Sequence, residues 1–171
     1  EIDARYLFGA PGAGLAIEGE TLLRAAPGLK DYPGFVFGRH DQSFGALMEP
    51  LMAGVTDEEG KGHAEIALPS IDDPGRPLEA LVAVRVAEGS GRPVERRITA
   101  PVEPAAAMIG VKPLFDGVVA EGSQAQFQLV GVGTDLKPAA MTVHWKLNRV
   151  QTDYQWYQSY GNWNWEPTVS R

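Results

Sequence analysis

A chain of 171 residues with a net charge of −7 and no cysteine excludes a disulfide scaffold, a cysteine-ligated metal, a cysteine nucleophile and a thioester formed within it. The acidic balance argues against a nucleic-acid partner, which needs clustered lysine and arginine. No apolar run approaches the roughly 18 residues that cross a bilayer as a helix.

Apolar residues at 44% and charged residues at 22% fit a globular protein of one large or two small domains. The sequence opens at Glu1 without methionine, so a processed or excised piece of a longer protein is expected. Twenty glycines and thirteen prolines leave little room for helices, whereas period-2 runs recur. In chain order, strands are expected at residues 2–8, 15–23 and 35–37. Residues 44–55 hold one or two more, with a bulge. The hydrophilic turn TDEEGKG, with Gly60 able to take positive φ, leads into a strand at 63–68. Residues 81–87 and 94–98 read as a hairpin, which brings the first hundred residues to about seven strands and a two-sheet sandwich. The short basic cluster from Arg92 to Arg97, interrupted by Pro93 and Glu95, reads as a solvated strand face.

Residues 99–107, TAPVEPAAA, lack alternation and read as a stiff linker. Strands resume at 108–113, 123–130 and 141–149. A loose internal repeat places a Pro-containing turn (Ala10-Pro11, Lys137-Pro138) before an alternating strand in each half. The last segment, DYQWYQSYGNWNWEP, sets three tryptophans and three tyrosines around a Gly-Asn turn, an aromatic hairpin over about 152–166. Period 2 puts Tyr154, Trp156, Gln158 and Tyr160 on one face and Trp163 with Trp165 on the return strand, a geometry suited to cross-strand aromatic pairs. Such a face could bury against a neighbouring domain or stack on a ligand.

Residues that could carry chemistry read as structural. His40, His63 and His144 have no metal-like spacing, and His63 and His144 fall on expected strands. Ser43, Ser70 and Ser123 lack a nucleophile-elbow context. No glycine-rich phosphate loop precedes a helix. Asp57, Glu58 and Glu59, and Asp72 with Asp73, read as solvated acidic turns because the EF-hand spacing is missing. No catalytic residue, metal site or cofactor is therefore expected.

Four strings, ARYLFGAPGAGLAIEG, DYPGFVFG, TDEEGKGHAEIALP and WKLNRVQTDYQWYQSYGNWNWEP, resemble bacterial alpha-2-macroglobulins, in the tandem macroglobulin-like domains upstream of the bait region. The resemblance implies all-β, antiparallel seven-stranded β-sandwich domains of immunoglobulin-like architecture. Together with the break at TAPVEPAAA, this gives one domain at 1–100, expected to lack its N-terminal strand, and a second at 101–171, incomplete at its C-terminus. The resemblance also implies a parent that is a periplasmic, lipid-anchored protease trap with a Cys-Gly-Glu-Gln thioester. This chain has no cysteine and no bait region, so none of the family's functional residues carries over. Expected partners are adjacent domains of the parent, with target proteases met only through it, and an edge-strand dimer of the fragment. Tyr154, Trp156, Tyr160, Trp163 and Trp165 are the expected interdomain contact. A carbohydrate-binding or adhesive module using the same hairpin is the alternative.

Overall fold

Eleven strands and no helix form among the described residues: β1 (Ile2–Asp3), β2 (Ala16–Ala25), β3 (Val36–Phe37), β4 (Leu47–Pro50), β5 (Lys61–Gly62), β6 (Leu78–Ala87), β7 (Val94–Val102), β8 (Met108–Pro113), β9 (Phe127–Val132), β10 (Gln151–Ser159) and β11 (Asn162–Ser170). The computed structural model describes all residues except Met52, Ala53, Ser70, Asp72, Asp73, Gly89, Ser90, Arg149, Val150 and Arg171. The readings made for Ser70 and for the Asp72-Asp73 turn lie outside the described residues. All pairings between strands are antiparallel. Residues Glu1–Ala140 pack as one unit and Met141–Arg171 as another.

The first unit is built on a four-stranded sheet of order β4-β2-β6-β7. Its central strand β6, LEALVAVRVA, alternates so that Leu78, Ala80 and Val82 share the buried face with Thr21 and Leu23 of β2, their cross-strand partners or neighbours. Leu23, Leu78 and Ala80 form a core that Phe44, Ile71 and Val102 close from the side. One atom there goes unpartnered: the Thr21 hydroxyl, fully buried without a hydrogen bond.

The opposite face carries charge, ordered by register. Arg85 of β6 sits across from Glu95 of β7 and bonds it at 2.8 Å, while its other nitrogen reaches Glu20 of β2 at 3.0 Å. Arg97 bonds the second oxygen of Glu95 at 2.6 Å. Of the basic cluster, Arg97 is thus neutralised on this solvated face, while Arg96 stands on the opposite face. The hydrogen bond from Arg85, followed by that from Arg97, holds the Glu95 carboxyl below the usual glutamate range. A carboxyl lowered by folding adds stability above its unfolded pKa and loses that contribution as pH falls through its folded pKa. Carboxyl ¹³C titration is expected to show Glu95 ionising below a normal glutamate, and Arg85→Gln to raise it. A Glu95 titration indifferent to Arg85→Gln would show that the pairing does not govern it. Because the pair is about a third exposed, solvent screens it and keeps its effect on stability at neutral pH small.

The edge of the unit is held by local polar chemistry. Thr56, buried, uses every polar group it has on the loop at 12–15. Its hydroxyl donates to the Gly12 carbonyl at 2.6 Å and accepts from the Leu15 amide at 2.9 Å. Its own amide and carbonyl meet the Leu15 carbonyl and the Gly14 amide at 3.0 Å. In the acidic turn, the Asp57 carboxylate accepts from the Glu59 and Lys61 amides at 3.1 Å and 2.7 Å, which explains the aspartate without a bound cation. Gly60 takes φ +79°, and a Cβ on it would strike the Ala4 carbonyl. The turn delivers β5 to pair with β1.

A second sheet of order β3-β8-β9 forms around Phe37, Met108 and Val132, flanked by Leu29, Tyr32, Phe35, Val130 and Leu136. This packing corrects the expected linker. Residues 99–102 belong to β7, with Thr99 opposite Leu81 and Val102 opposite Leu78. Pro101 suits that place because β7 is an edge strand, where only alternate residues bond a neighbour. Beyond it, β8 returns to β3, Val111 pairing with Val36, so residues 108–132 share a core with residues 29–37.

Two alternating stretches differ from expectation. Residues 63–69 follow the two-residue strand β5 without forming a strand, and Ile66 and Leu68 remain exposed. Residues 141–148 likewise form none, and Trp145 and Leu147 face solvent. His63 and His144 therefore lie on irregular backbone, not on strands, and are exposed, as is His40.

Candidate functional site

The aromatic segment folds as a hairpin because its alternation is continuous and its two-residue connection has the backbone the strand twist requires. Tyr160 at φ 49° and Gly161 at φ 83° are the turn residues, the positive pair of a type I′ turn. The turn is therefore Tyr-Gly, one residue earlier than the expected Gly-Asn. The Gln158 side chain amide donates to the Gly161 carbonyl at 3.3 Å. Ser159 closes on Asn162, and from there the register runs Gln158 to Trp163, Trp156 to Trp165 and Tyr154 to Pro167. With a two-residue loop, those three pairs are the non-hydrogen-bonded ones, in which side chains approach most closely.

That register gathers four rings. Trp156 lies 3.7 Å from Trp165 between centroids at a 38° tilt. Trp163 meets Trp156 edge-on at 6.3 Å, and Tyr154 meets Trp165 edge-on at 6.1 Å. Such contacts contribute about 0.5–1.5 kcal/mol each beyond area burial. All four remain more than half exposed, from 54% at Trp156 to 65% at Tyr154 and Trp163. Asp153, Gln155, Asn164 and Glu166 occupy alternate positions, with Tyr157 among them opposite Asn164, so the four tryptophan and tyrosine rings gather on one side of the hairpin. Of the five residues expected to form one contact surface, the hairpin brings the rings of Tyr154, Trp156, Trp163 and Trp165 together. Tyr160 stays apart: it occupies the turn and is wholly exposed.

The relief of this surface limits its use. The two closest indoles cover each other's faces, and the remaining two rings stand edge-on, so the surface is ridged. Stacking on a sugar ring needs an open, flat aromatic face; ridges fit into an apolar counter-surface. No group of three or more His, Asp or Glu side chains converges among the described residues.

Sequence reading missed a second apolar projection. Leu7 and Phe8 form the tip of a tight turn closed by the Gly9 amide donating to the Tyr6 carbonyl at 2.8 Å, and both are exposed. Phe8 stacks on Tyr6 at 5.3 Å. The strand expected over 2–8 covers only Ile2–Asp3, and the Gly9-Ala10-Pro11 break was the sequence signal for the turn beyond it.

Comparison with known proteins places these elements. Residues 1–104 match the bacterial alpha-2-macroglobulin MG5 domain and residues 110–171 the bacterial macroglobulin domain 6. An alpha-2-macroglobulin of Xylella fastidiosa is 34% identical over 97% of this chain, which spans 10% of that relative's length. The fold resembles Escherichia coli alpha-2-macroglobulin in its native conformation, with TM-score 0.61 at 22% identity, over 98% of this chain and 12% of that one. It also resembles the E. coli protein activated by porcine elastase, with TM-score 0.64 at 24% identity, over 99% of this chain and 16% of that one.

Proposed function

Because this chain belongs to the bacterial alpha-2-macroglobulin family, we propose that it is a non-enzymatic framework segment of a periplasmic protease-trapping shell. Its aromatic hairpin is the contact that sets how a neighbouring domain of the same protein sits. The observation that carries this reading is the ridged apolar face of Tyr154, Trp156, Trp163 and Trp165, exposed on a two-stranded hairpin. A two-stranded hairpin is marginal alone and gains by covering such a face. The likeness to both native and elastase-activated relatives supports domains that keep their fold while the whole molecule changes state. Trapping, the lipid anchor and contact with proteases belong to the whole protein, of which this is a small share.

The test is made in the full-length parent. Trp156→Ala with Trp163→Ala is expected to expand the native particle, read as radius of gyration by small-angle X-ray scattering, and to reduce the compaction that follows protease addition. Unaltered dimensions in both states would show that the hairpin does not fix domain position. Tryptophan quenching by glycans in the unmodified protein would transfer the surface to sugar binding.

A further inference from the structure

The first unit contains a groove of about 570 Å³ between residues Glu1–Tyr6 and the inner face of β6 and β7. Val82, Val84 and Val86 of β6 and Val94 and Ile98 of β7 form its floor. Register puts these five on the same face as the buried Leu78 and Ala80, so the floor continues the core outward. Yet Val94 and Ile98 are 58% and 62% exposed. A core face left open from Val94 to Ile98 of an edge strand is incomplete by the ordinary rules of sandwich construction.

The other wall supplies what is needed to complete it. The Ala4 amide donates to the Gly60 carbonyl and the Ala4 carbonyl accepts from Gly12, while the Tyr6 amide donates to Ala10. Even-numbered residues thus turn their backbone groups toward β5 and the loop at 10–12. Along a strand the alternate groups point the other way, so among the described residues the N–H and C=O of Asp3 and Arg5 mark an open edge in the wall of the groove. A strand added there would lie about 4.8 Å from residues 1–6 and about 10 Å above the floor, the spacings of a paired strand and a packed sheet.

Charge narrows the partner. Arg5 is neutralised by Asp3 at 3.0 Å and Glu1 by Lys61 at 3.1 Å. Glu88 lies beside Tyr6. Arg92 and Arg96 also line the groove, and among the described residues neither is bound to a carboxylate. Arg96 stands on the floor itself, between Val94 and Ile98 on the same face.

We propose that the groove is a docking site for an extended polypeptide strand that adds to the open edge of residues 1–6. Its alternate apolar side chains cover Val84, Val94 and Ile98, and a carboxylate on the same side meets Arg96. Main-chain hydrogen bonds supply affinity and the alternating side chains supply selectivity.

A fluorescein-labelled octapeptide alternating valine with threonine, with one valine replaced by glutamate, is the probe, titrated against the full chain by fluorescence anisotropy. Saturable binding is expected. Ile98→Glu should weaken it about tenfold or more. Arg96→Glu should weaken it about fivefold and reverse the preference toward a peptide carrying lysine in place of glutamate. Both changed side chains are exposed, and an unchanged unfolding midpoint confirms a native fold. N-methylation of the alternate peptide amides that face residues 1–6 should abolish binding, while N-methylation of the other set should not. Absence of saturable binding, or equal sensitivity to both methylation patterns, overturns the proposal. So does a concentration-dependent dimer that Ile98→Glu dissolves, because a second copy would then be the occupant.

Discussion

Replacing Thr56 with valine is expected to lower the stability of the first unit by about 2–4 kcal/mol, while the same replacement at Thr21 is expected to raise it by about 1 kcal/mol. Both threonines are buried to within a few per cent, at 3% and 2% exposure, and the change in shape is the same. Only the hydrogen bonding differs. At Thr56 the hydroxyl joins the Gly12 carbonyl in a buried bond and the Leu15 amide in a part-buried one, and removing it leaves both backbone groups without that partner. Each stranded group costs about 1–3 kcal/mol. At Thr21 the hydroxyl has no partner, so valine removes a desolvated polar atom and returns a methyl to an apolar site. Urea unfolding followed on the 171-residue chain reads both, the midpoints moving in opposite directions at constant slope. Shifts of the same sign would show that volume, not hydrogen bonding, governs these positions.

The second large effect concerns the hairpin. Trp156 is the one ring of the four that touches two other tryptophans, Trp165 across the strand and Trp163 on the diagonal. Its replacement by alanine removes both contacts and is expected to destabilise the hairpin by about 1–3 kcal/mol, whereas Tyr154→Ala, which removes one, should cost about half as much. Near-ultraviolet circular dichroism of the coupled indoles, followed through thermal unfolding, distinguishes the two variants. Equal losses would mean that area, not the pairing geometry, holds the strands together.

How far the chain could be read in advance follows from what alternation does and does not encode. In β2, β6 and β8 the apolar period coincided with a neighbour able to bond, and the expected strands stand where the pattern put them. The hairpin was legible for the same reason, with the added signal of Gly161. Residues 141–148 show the limit: Met141, Val143, Trp145 and Leu147 alternate faultlessly, yet the described backbone makes no strand there. A period of two reports that a segment has two unlike sides; a strand also needs another strand's open edge, which sequence alone does not display. The prolines of TAPVEPAAA misled in the opposite direction, because proline's missing amide is harmless on an edge. At the aromatic surface, residue types and faces were legible. Ridged ring packing and the departure of Tyr160 were not, since both depend on which two residues make the turn.

The strand β7 has one further implication. Its last pair, Val102 with Leu78, lies beside residues 103–107, which lead directly into β8 of the other sheet. Tension applied through those five residues would load that pair first, then Ala100 with Ala80 two residues on, each failing before the next is strained. A ladder loaded from its end opens like a zip fastener and resists with the strength of a single rung. If the two sheets are drawn apart, this seam gives way one rung at a time, and the order of the rungs lets it close again along the same path.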